Sequence, residues 1–177
     1  MEPLTHAQTR TTDAAAARPT TLIIACCDAQ LDPARLAGAA PGSCLELRTF
    51  GNVVPPYRPH RVTAEAATIA YATEILGVQE IVVVGHSGCG AVAALQPGGL
   101  SLRAFDAWWW LTRSGNTGRG RAATDDPGRA HLRLQVAKLL RYPKIKRRLT
   151  ERRLDLRAYY ADPASGTAEL LEPPSRT

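Results

Sequence analysis

The chain has 177 residues, of which 45% are hydrophobic, so its length and composition fit one globular domain. No apolar run approaches the roughly 18 residues that span a bilayer, and the N-terminal sequence lacks the basic and apolar stretches of a signal peptide. We therefore expect a cytoplasmic protein with no membrane partner. The formal net charge of +6 does not predict a nucleic-acid partner, because the basic residues concentrate at 139–157 and alternate there with apolar positions, as on the solvated face of a helix.

The hydrophobic pattern in the first half of the chain predicts strands and a helix. Residues 1–19 are polar and Ala-rich without periodicity, which predicts a flexible N-terminal arm, and the domain then spans 20–177. Strands buried on both faces of a parallel sheet are predicted by two apolar runs, TTLIIAC and EIVVVGH, and an alternating strand by SCLELRTF. A helix that Gly77 ends is predicted by VTAEAATIAYATEILG. We expect its buried face to consist of Val62, Ala66, Ile69, Ala70, Thr73 and Leu76.

The second half of the chain shows two more helical patterns and a hairpin. The helical patterns are LSLRAFDAWWWLTRSG and RAHLRLQVAKLLRYP, the second ended by Pro143. A closing hairpin with turn residues between Asp162 and Gly166 is predicted by LDLRAYYADPASGTAEL. Together these elements predict a single α/β domain with a central, mainly parallel sheet flanked by helices.

Three side chains that can bind a metal follow two of the predicted strands. Cys26 ends the first strand, and His86 and Cys89 follow the run EIVVVG. Ligands of parallel sheets bind beyond the carboxyl ends of the strands, so these groups converge if the two strands are neighbours. Two cysteines and one histidine with an open fourth position form a catalytic zinc arrangement, in which the metal makes a bound water more acidic. The glycines interleaved with these ligands suit a tight loop around a metal.

The same segment allows a different interpretation. The letters GHSGC almost spell the G-x-S-x-G nucleophile elbow, in which Ser87 would be the nucleophile and His131 the only downstream histidine. The match fails at Cys89, where the strained turn needs a small residue. Zinc content separates this hydrolase interpretation from the metal site.

Other conspicuous residues are expected to be structural. Buried core positions are the expectation for Cys27 and Cys44, because a thiol is among the most frequently buried side chains. A core or subunit-interface role is expected for at least two of the three tryptophans Trp108 to Trp110. Surface or helix-cap positions are expected for His6, His60 and His131.

The ordered motifs resemble a known family. The segments CCDAQ, RTFGN and GHSGCGA are similar to the metal-site segments of the β-class carbonic anhydrases, and residues 129–145 and 156–170 resemble the family's later helix and closing strand. The resemblance implies that Cys26, His86 and Cys89 hold zinc and that a zinc-bound hydroxide hydrates carbon dioxide to bicarbonate. It also implies a homodimer or a dimer of dimers.

Further site residues follow from the same motifs. The resemblance implies that Asp28 is the carboxylate beside the metal and that Arg48 and Asn52 fix the loop next to the site. Gly90 opens the helix that follows the last ligand, and we expect its backbone N–H to be available to an anion.

The sequence departs from the family pattern at Gln30, where the family has an arginine that keeps the Asp28 carboxylate ionised and turned away from the metal. Glutamine offers only neutral donors. Either Asp28 then occupies the fourth position on zinc, which lowers activity near neutral pH, or Gln30 orients it for another small electrophile. The alternatives are a zinc hydrolase of carbonyl sulfide or carbon disulfide and a catalytically weak zinc-binding scaffold.

Overall fold

A five-stranded sheet forms the centre of the molecule. The computed structural model describes residues 18–27, 31–40, 42–96, 109–112 and 126–171. Within these residues the strands are β1 (Thr21–Cys26), β2 (Cys44–Thr49), β3 (Glu80–His86), β4 (Asp155–Asp162) and β5 (Thr167–Leu171). Their order is β2-β1-β3-β4-β5, with parallel pairing up to β4 and an antiparallel β5. The predicted α/β class with a mainly parallel sheet is confirmed.

Helices and helical turns connect the strands. They are α1 (Pro33–Leu36), a 3₁₀ turn (Phe50–Asn52), α2 (Ala64–Ala70) continued by a π turn (Tyr71–Leu76), α3 (Gly90–Ala94), α4 (Pro127–Leu139) and α5 (Pro143–Thr150). Of the predicted helix at 100–115, the described residues 109–112 are helical. Residues 1–17 of the predicted arm lie outside the described part of the chain. In that part, no helix has the length and apolar character needed to cross a membrane.

The two central strands are buried on both faces. Leu22 and Ile24 of β1 belong to a core cluster that includes Leu132 of α4. Ile23 lies in a second cluster, which includes Leu36 of α1. Successive strand residues point to opposite faces of a sheet. Because both faces are covered, every position of β1 is buried, which explains its unbroken apolar run.

The helix predicted at 62–77 begins two residues later than its first letter. The Thr63 side chain caps it by accepting from the backbone N–H of Ala66 at 3.3 Å. Val62 precedes this cap and is 68% exposed, so its predicted place on the buried face is wrong. Ile69 and Thr73 are buried as expected.

Pro143 separates two helices and belongs to the second. The first, α4, ends at Leu139, and Pro143 occupies the first turn of α5, where its missing N–H costs no helical hydrogen bond. On α5, Ile145 and Leu149 are buried and the basic residues between them are largely exposed. The predicted solvated basic face is therefore confirmed for this helix.

Candidate metal centre

The sheet brings the three predicted ligands together. Because β1 and β3 are paired in parallel, Cys26 and His86 leave the sheet at the same edge, and Cys89 follows in the loop before α3. The three side chains are buried, with exposures of 1% for Cys26, 5% for His86 and 6% for Cys89. Their ligand atoms all lie within 4.8 Å of one another. Among the described residues, this is the group of histidine, cysteine and acidic side chains that could hold a metal ion.

The spacing of the two sulfurs suits a tetrahedral ion. Cys26 Sγ and Cys89 Sγ lie 3.8 Å apart. Two zinc–sulfur bonds of about 2.3 Å at a tetrahedral angle would place the sulfurs roughly 3.8 Å from each other. A disulfide bond needs sulfurs about 2 Å apart, so the observed pair matches shared coordination.

The His86 ring has its tautomer set by a backbone carbonyl. Nδ1 lies 2.9 Å from the carbonyl oxygen of Ser87. Because a carbonyl oxygen only accepts hydrogen bonds, Nδ1 carries the hydrogen and the neutral ring keeps its lone pair on Nε2, which is buried. Fixing the second ring nitrogen in this way is the usual means of orienting a metal-binding histidine.

The surroundings of the two thiols favour the binding of a divalent cation. The pKa of Cys89 is raised above its ordinary value by the hydrogen bond with Cys26 and by burial, and the backbone N–H groups of Ala91 and Val92 oppose this rise. The Cys26 sulfur accepts from the N–H of Gly51 at 3.3 Å. Backbone donors thus point at both sulfurs, while two adjacent thiolates repel each other. A metal ion offsets that repulsion, so the donor set fits zinc.

The loop after β2 approaches the candidate centre. Of the two predicted support residues, Asn52 lies in this loop and Arg48 lies in β2 just before it. Asn52 is 2% exposed, and its Nδ2 donates to the carbonyl of Val84 at 3.2 Å, which ties the loop to β3. Arg48 is exposed and donates to the carbonyl of Leu31 at 3.3 Å. Both contacts tie neighbouring segments together near the edge of the sheet.

The remaining predicted site residues are placed differently. Asp28 and Gln30 lie outside the described part of the chain. Gly90 is the first residue of α3, as expected. The backbone N–H groups that lower the pKa of the Cys89 thiol belong to the next two residues, Ala91 and Val92.

The nucleophile-elbow interpretation loses its base. The hydroxyl of Ser87 donates to Asp162 Oδ1 at 2.9 Å. His131 is 6% exposed, and its Nε2 lies 2.7 Å from the carbonyl of Gly51. Ser87 therefore donates to a carboxylate, and the His131 ring binds the loop after β2, so His131 is not the base that a nucleophile elbow needs.

Several structural expectations from the sequence are corrected. We expected His131 at the surface or at a helix cap, but it is buried. Its ring packs against the loop after β2 and binds the carbonyl of Gly51. Cys27 is exposed, whereas we expected a core position, because β1 ends one residue earlier. Cys44 is only partly buried, whereas His60 is exposed as expected. The Trp109 side chain is 48% exposed, and Trp110 packs partly buried against the cluster that contains both candidate ligand cysteines. Trp108 lies outside the described residues.

A buried polar row on α4 was missed by the sequence analysis. It consists of His131, Gln135 and Lys138, with exposures of 6%, 0% and 7%. The spacing i, i+4, i+7 places these residues on one face of a helix. That spacing is visible in the sequence and was the available signal.

A small cavity of about 230 Å³ adjoins the candidate centre, and its lining includes His86, Cys89, Asp126 and Tyr160. Burial, followed by the hydrogen bond with Asp126, raises the pKa of Tyr160 to about 12. Burial alone would raise the pKa of Asp126, but hydrogen bonds from the Arg129 backbone and the Tyr160 hydroxyl outweigh it and leave that pKa lowered. The cavity therefore places a carboxylate and a neutral phenol beside two of the three candidate ligands.

Comparison with known proteins shows what the chain is similar to. A family model described as "Carbonic anhydrase" matches residues 21–168. The carbonic anhydrase of Pseudomonas aeruginosa is 33% identical over 167 residues, which cover 89% of this chain and 76% of that protein. Carbonic anhydrase 1 of Escherichia coli O157:H7 is 30% identical over 171 residues, with coverage of 89% and 76%.

Solved structures show the same similarity. The β-carbonic anhydrase CcaA superposes with a TM-score of 0.75 at 26% identity, over 90% of this chain and 79% of that chain. A tetrameric β-carbonic anhydrase from Sordaria macrospora superposes with a TM-score of 0.66 at 26% identity, over 87% and 81% of the two chains.

Proposed function

Because the chain belongs to the β-class carbonic anhydrase family, we propose that it is a zinc-dependent lyase that hydrates carbon dioxide to bicarbonate. The observation that carries the proposal is the convergence of Cys26, His86 and Cys89, with the two sulfurs 3.8 Å apart. A set of two thiolates and one imidazole leaves a fourth position for water or substrate on a tetrahedral ion.

The protein's own groups would prepare this chemistry. When bound, zinc supplies Lewis acidity that makes a coordinated water a nucleophile near neutral pH. Cys26 and Cys89 provide two negative donors, and backbone amides moderate their charge. The carbonyl of Ser87 holds the His86 ring with Nε2 available as the donor atom.

Asp28 is the proposed acidic partner of the reacting water. A carboxylate at this position can accept a hydrogen bond from the nucleophile and so orient it. Gln30 can hold that carboxylate only through neutral donors. We therefore propose a lower activity near neutral pH than an arginine at position 30 would give.

Metal analysis tests the site directly. The purified protein is expected to contain about one zinc per chain, and Cys26→Ala, His86→Ala or Cys89→Ala is expected to remove most of it. Cys27→Ser and Cys44→Ser serve as matched controls and should leave the zinc content unchanged. Retention of zinc by all three ligand variants would refute the assignment.

Activity measurements test the reaction. Hydration of carbon dioxide by the zinc-loaded protein should exceed that of the metal-stripped protein, and zinc should restore it. The glutamine at position 30 favours one second candidate, the hydrolysis of carbonyl sulfide or carbon disulfide. Zinc-dependent turnover of either compound without carbon dioxide hydration would establish that candidate instead. Zinc binding without any turnover would leave a scaffold.

We also propose that the protein works as a homodimer or a dimer of dimers. The similar β-carbonic anhydrase of Sordaria macrospora is tetrameric, and this chain exposes apolar side chains at Tyr71 and Ile75, with exposures of 49% and 66%. Light scattering at micromolar concentration should give a mass of two or four chains, and a monodisperse monomer would contradict the proposal.

A reducing compartment such as the cytoplasm suits a site that needs two thiolates.

A further inference from the structure

The loop that donates to Cys26 is itself deeply buried. Gly51 is buried, Asn52 is 2% exposed, and Val53 and Val54 are fully buried. Buried backbone N–H and C=O groups cost free energy unless they find hydrogen-bond partners. This loop is not part of a sheet ladder, so side chains from elsewhere must supply those partners.

Two side chains of α4 hold the two ends of the loop. At one end, His131 Nε2 lies 2.7 Å from the carbonyl oxygen of Gly51. At the other end, the backbone N–H of Val54 donates to Gln135 Oε1 at 3.0 Å. Because the carbonyl only accepts, His131 Nε2 must carry the hydrogen. Two side chains one turn apart on α4 therefore bind two backbone groups of the loop, the carbonyl of Gly51 and the N–H of Val54.

Between these two hydrogen bonds the loop has little freedom to shift. Gly51 has a φ of +68°, and a Cβ added there would lie 2.7 Å from the Cβ of Ala91, so the backbone packs directly against α3. Asn52 also has a positive φ of 46°, and its side chain is bound to the Val84 carbonyl. The N–H of Gly51 belongs to the peptide that precedes the held carbonyl. Because the Gly51 backbone between the two groups is fixed, this N–H points at the sulfur of Cys26, 3.3 Å away.

We propose that His131 and Gln135 are positioning residues for the metal ligand Cys26. By holding the Gly51 carbonyl and the Val54 N–H, they fix the backbone of the loop and keep the Gly51 N–H on the Cys26 sulfur, which lowers the electron density of the thiolate. The inference rests on the proposed function, because it requires that Cys26 binds the metal. Groups behind a ligand commonly affect metal affinity by about 10- to 100-fold.

The test uses the full-length protein loaded with Co²⁺ in place of zinc. Cobalt bound to thiolate gives a sulfur-to-metal charge-transfer band, whose energy falls when the sulfur loses a hydrogen-bond donor. In His131→Phe the band is expected to move to lower energy, and the zinc dissociation constant, measured against a chelator at neutral pH, is expected to rise by about tenfold. His131→Gln keeps a side-chain donor for the Gly51 carbonyl and should restore most of both values.

A matched control separates positioning from general destabilisation. Leu139→Ala truncates another buried residue of α4 whose apolar side chain donates nothing to the loop. It should lower the melting temperature and leave the band in place. An unmoved band in His131→Phe, with zinc affinity within twofold of the native protein, would overturn the inference. Absence of the band from the native cobalt protein would instead overturn the proposed metal site.

Gln135→Met provides the answer if His131→Phe does not fold. Methionine has a similar volume but is only a weak acceptor for the Val54 N–H, so this end of the loop is loosened while His131 still holds the Gly51 carbonyl. A shift in the same direction but smaller supports the inference, and an unchanged band and affinity contradict it.

Discussion

Replacing Lys138 by Met is expected to stabilise the protein at and below neutral pH and to do so much less in alkaline solution. Lys138 is 7% exposed, and burial lowers its pKa to about 7. Its Nζ donates to Gln135 Oε1 at 3.2 Å. A buried ammonium is costly because the protein interior solvates charge poorly, and methionine fills a similar volume without a charge.

The sign and size of the effect follow from the two pKa values. The ordinary lysine pKa is 10.5, so between pH 10.5 and about 7 the unfolded chain binds a proton that the folded chain does not. Stability of the native protein therefore falls as pH decreases through this window, and the full cost is present below pH 7. At about 1.4 kcal/mol per pH unit, the cost reaches roughly 5 kcal/mol. The variant also loses one hydrogen bond of about 1 kcal/mol, so a net gain of about 2–4 kcal/mol is expected near pH 6.

Urea unfolding of both proteins at pH 6, 7, 8 and 9 measures this difference. Taking the difference between variant and native protein cancels the titration of other groups. Lys146→Met removes the same charge from an exposed position of α5 and should give a small difference that does not vary with pH. If Lys138→Met changes the free energy of unfolding equally at pH 6 and pH 9, the lysine is charged and compensated in the fold, and the reasoning is refuted.

Three further outcomes are expected. Gly51→Ala should lose about 2–4 kcal/mol of stability in urea unfolding and most of its zinc, because the new Cβ combines a positive φ with a clash against Ala91; native-like zinc content would contradict this. Gln30→Arg should raise carbon dioxide hydration by roughly 10- to 100-fold, most near neutral pH, by holding Asp28 as an ionised carboxylate away from the metal, and an unchanged rate would count against the proposed role of Gln30. Ser87→Ala should cost about 1 kcal/mol of stability and keep its zinc, and a loss of metal would show that the hydroxyl supports the site.

The convergence of the three candidate ligands could be predicted from the sequence because it depends on strands. Apolar runs located β1 and β3, and parallel pairing then required the residues after them to meet at one edge of the sheet. Cys26, His86 and Cys89 occupy those positions, so local pattern and topology gave the same answer.

The polar row on α4 could not be predicted in the same way. His131, Gln135 and Lys138 are residue types that usually lie at the surface. The loop at 51–54 contacts His131 and Gln135. It reaches α4 only in the folded chain and brings backbone groups that need partners. The spacing of the three residues places them on one face of the helix, but the helix sequence does not show that the loop covers that face. Cys27 is a residue type that is usually buried, yet it is exposed. It follows the buried candidate ligand Cys26, at which β1 ends.

The separation of the candidate ligands along the chain bears on the order of events in folding. Cys26 and Cys89 are 63 residues apart, and β2 and α2 lie between them in the sequence. A metal site whose residues lie this far apart rarely exists in the unfolded chain. We therefore expect β1 and β3 to pair before the ion binds. Metal loading should consequently slow unfolding far more than it accelerates refolding, because the contacts it stabilises form after the rate-limiting step.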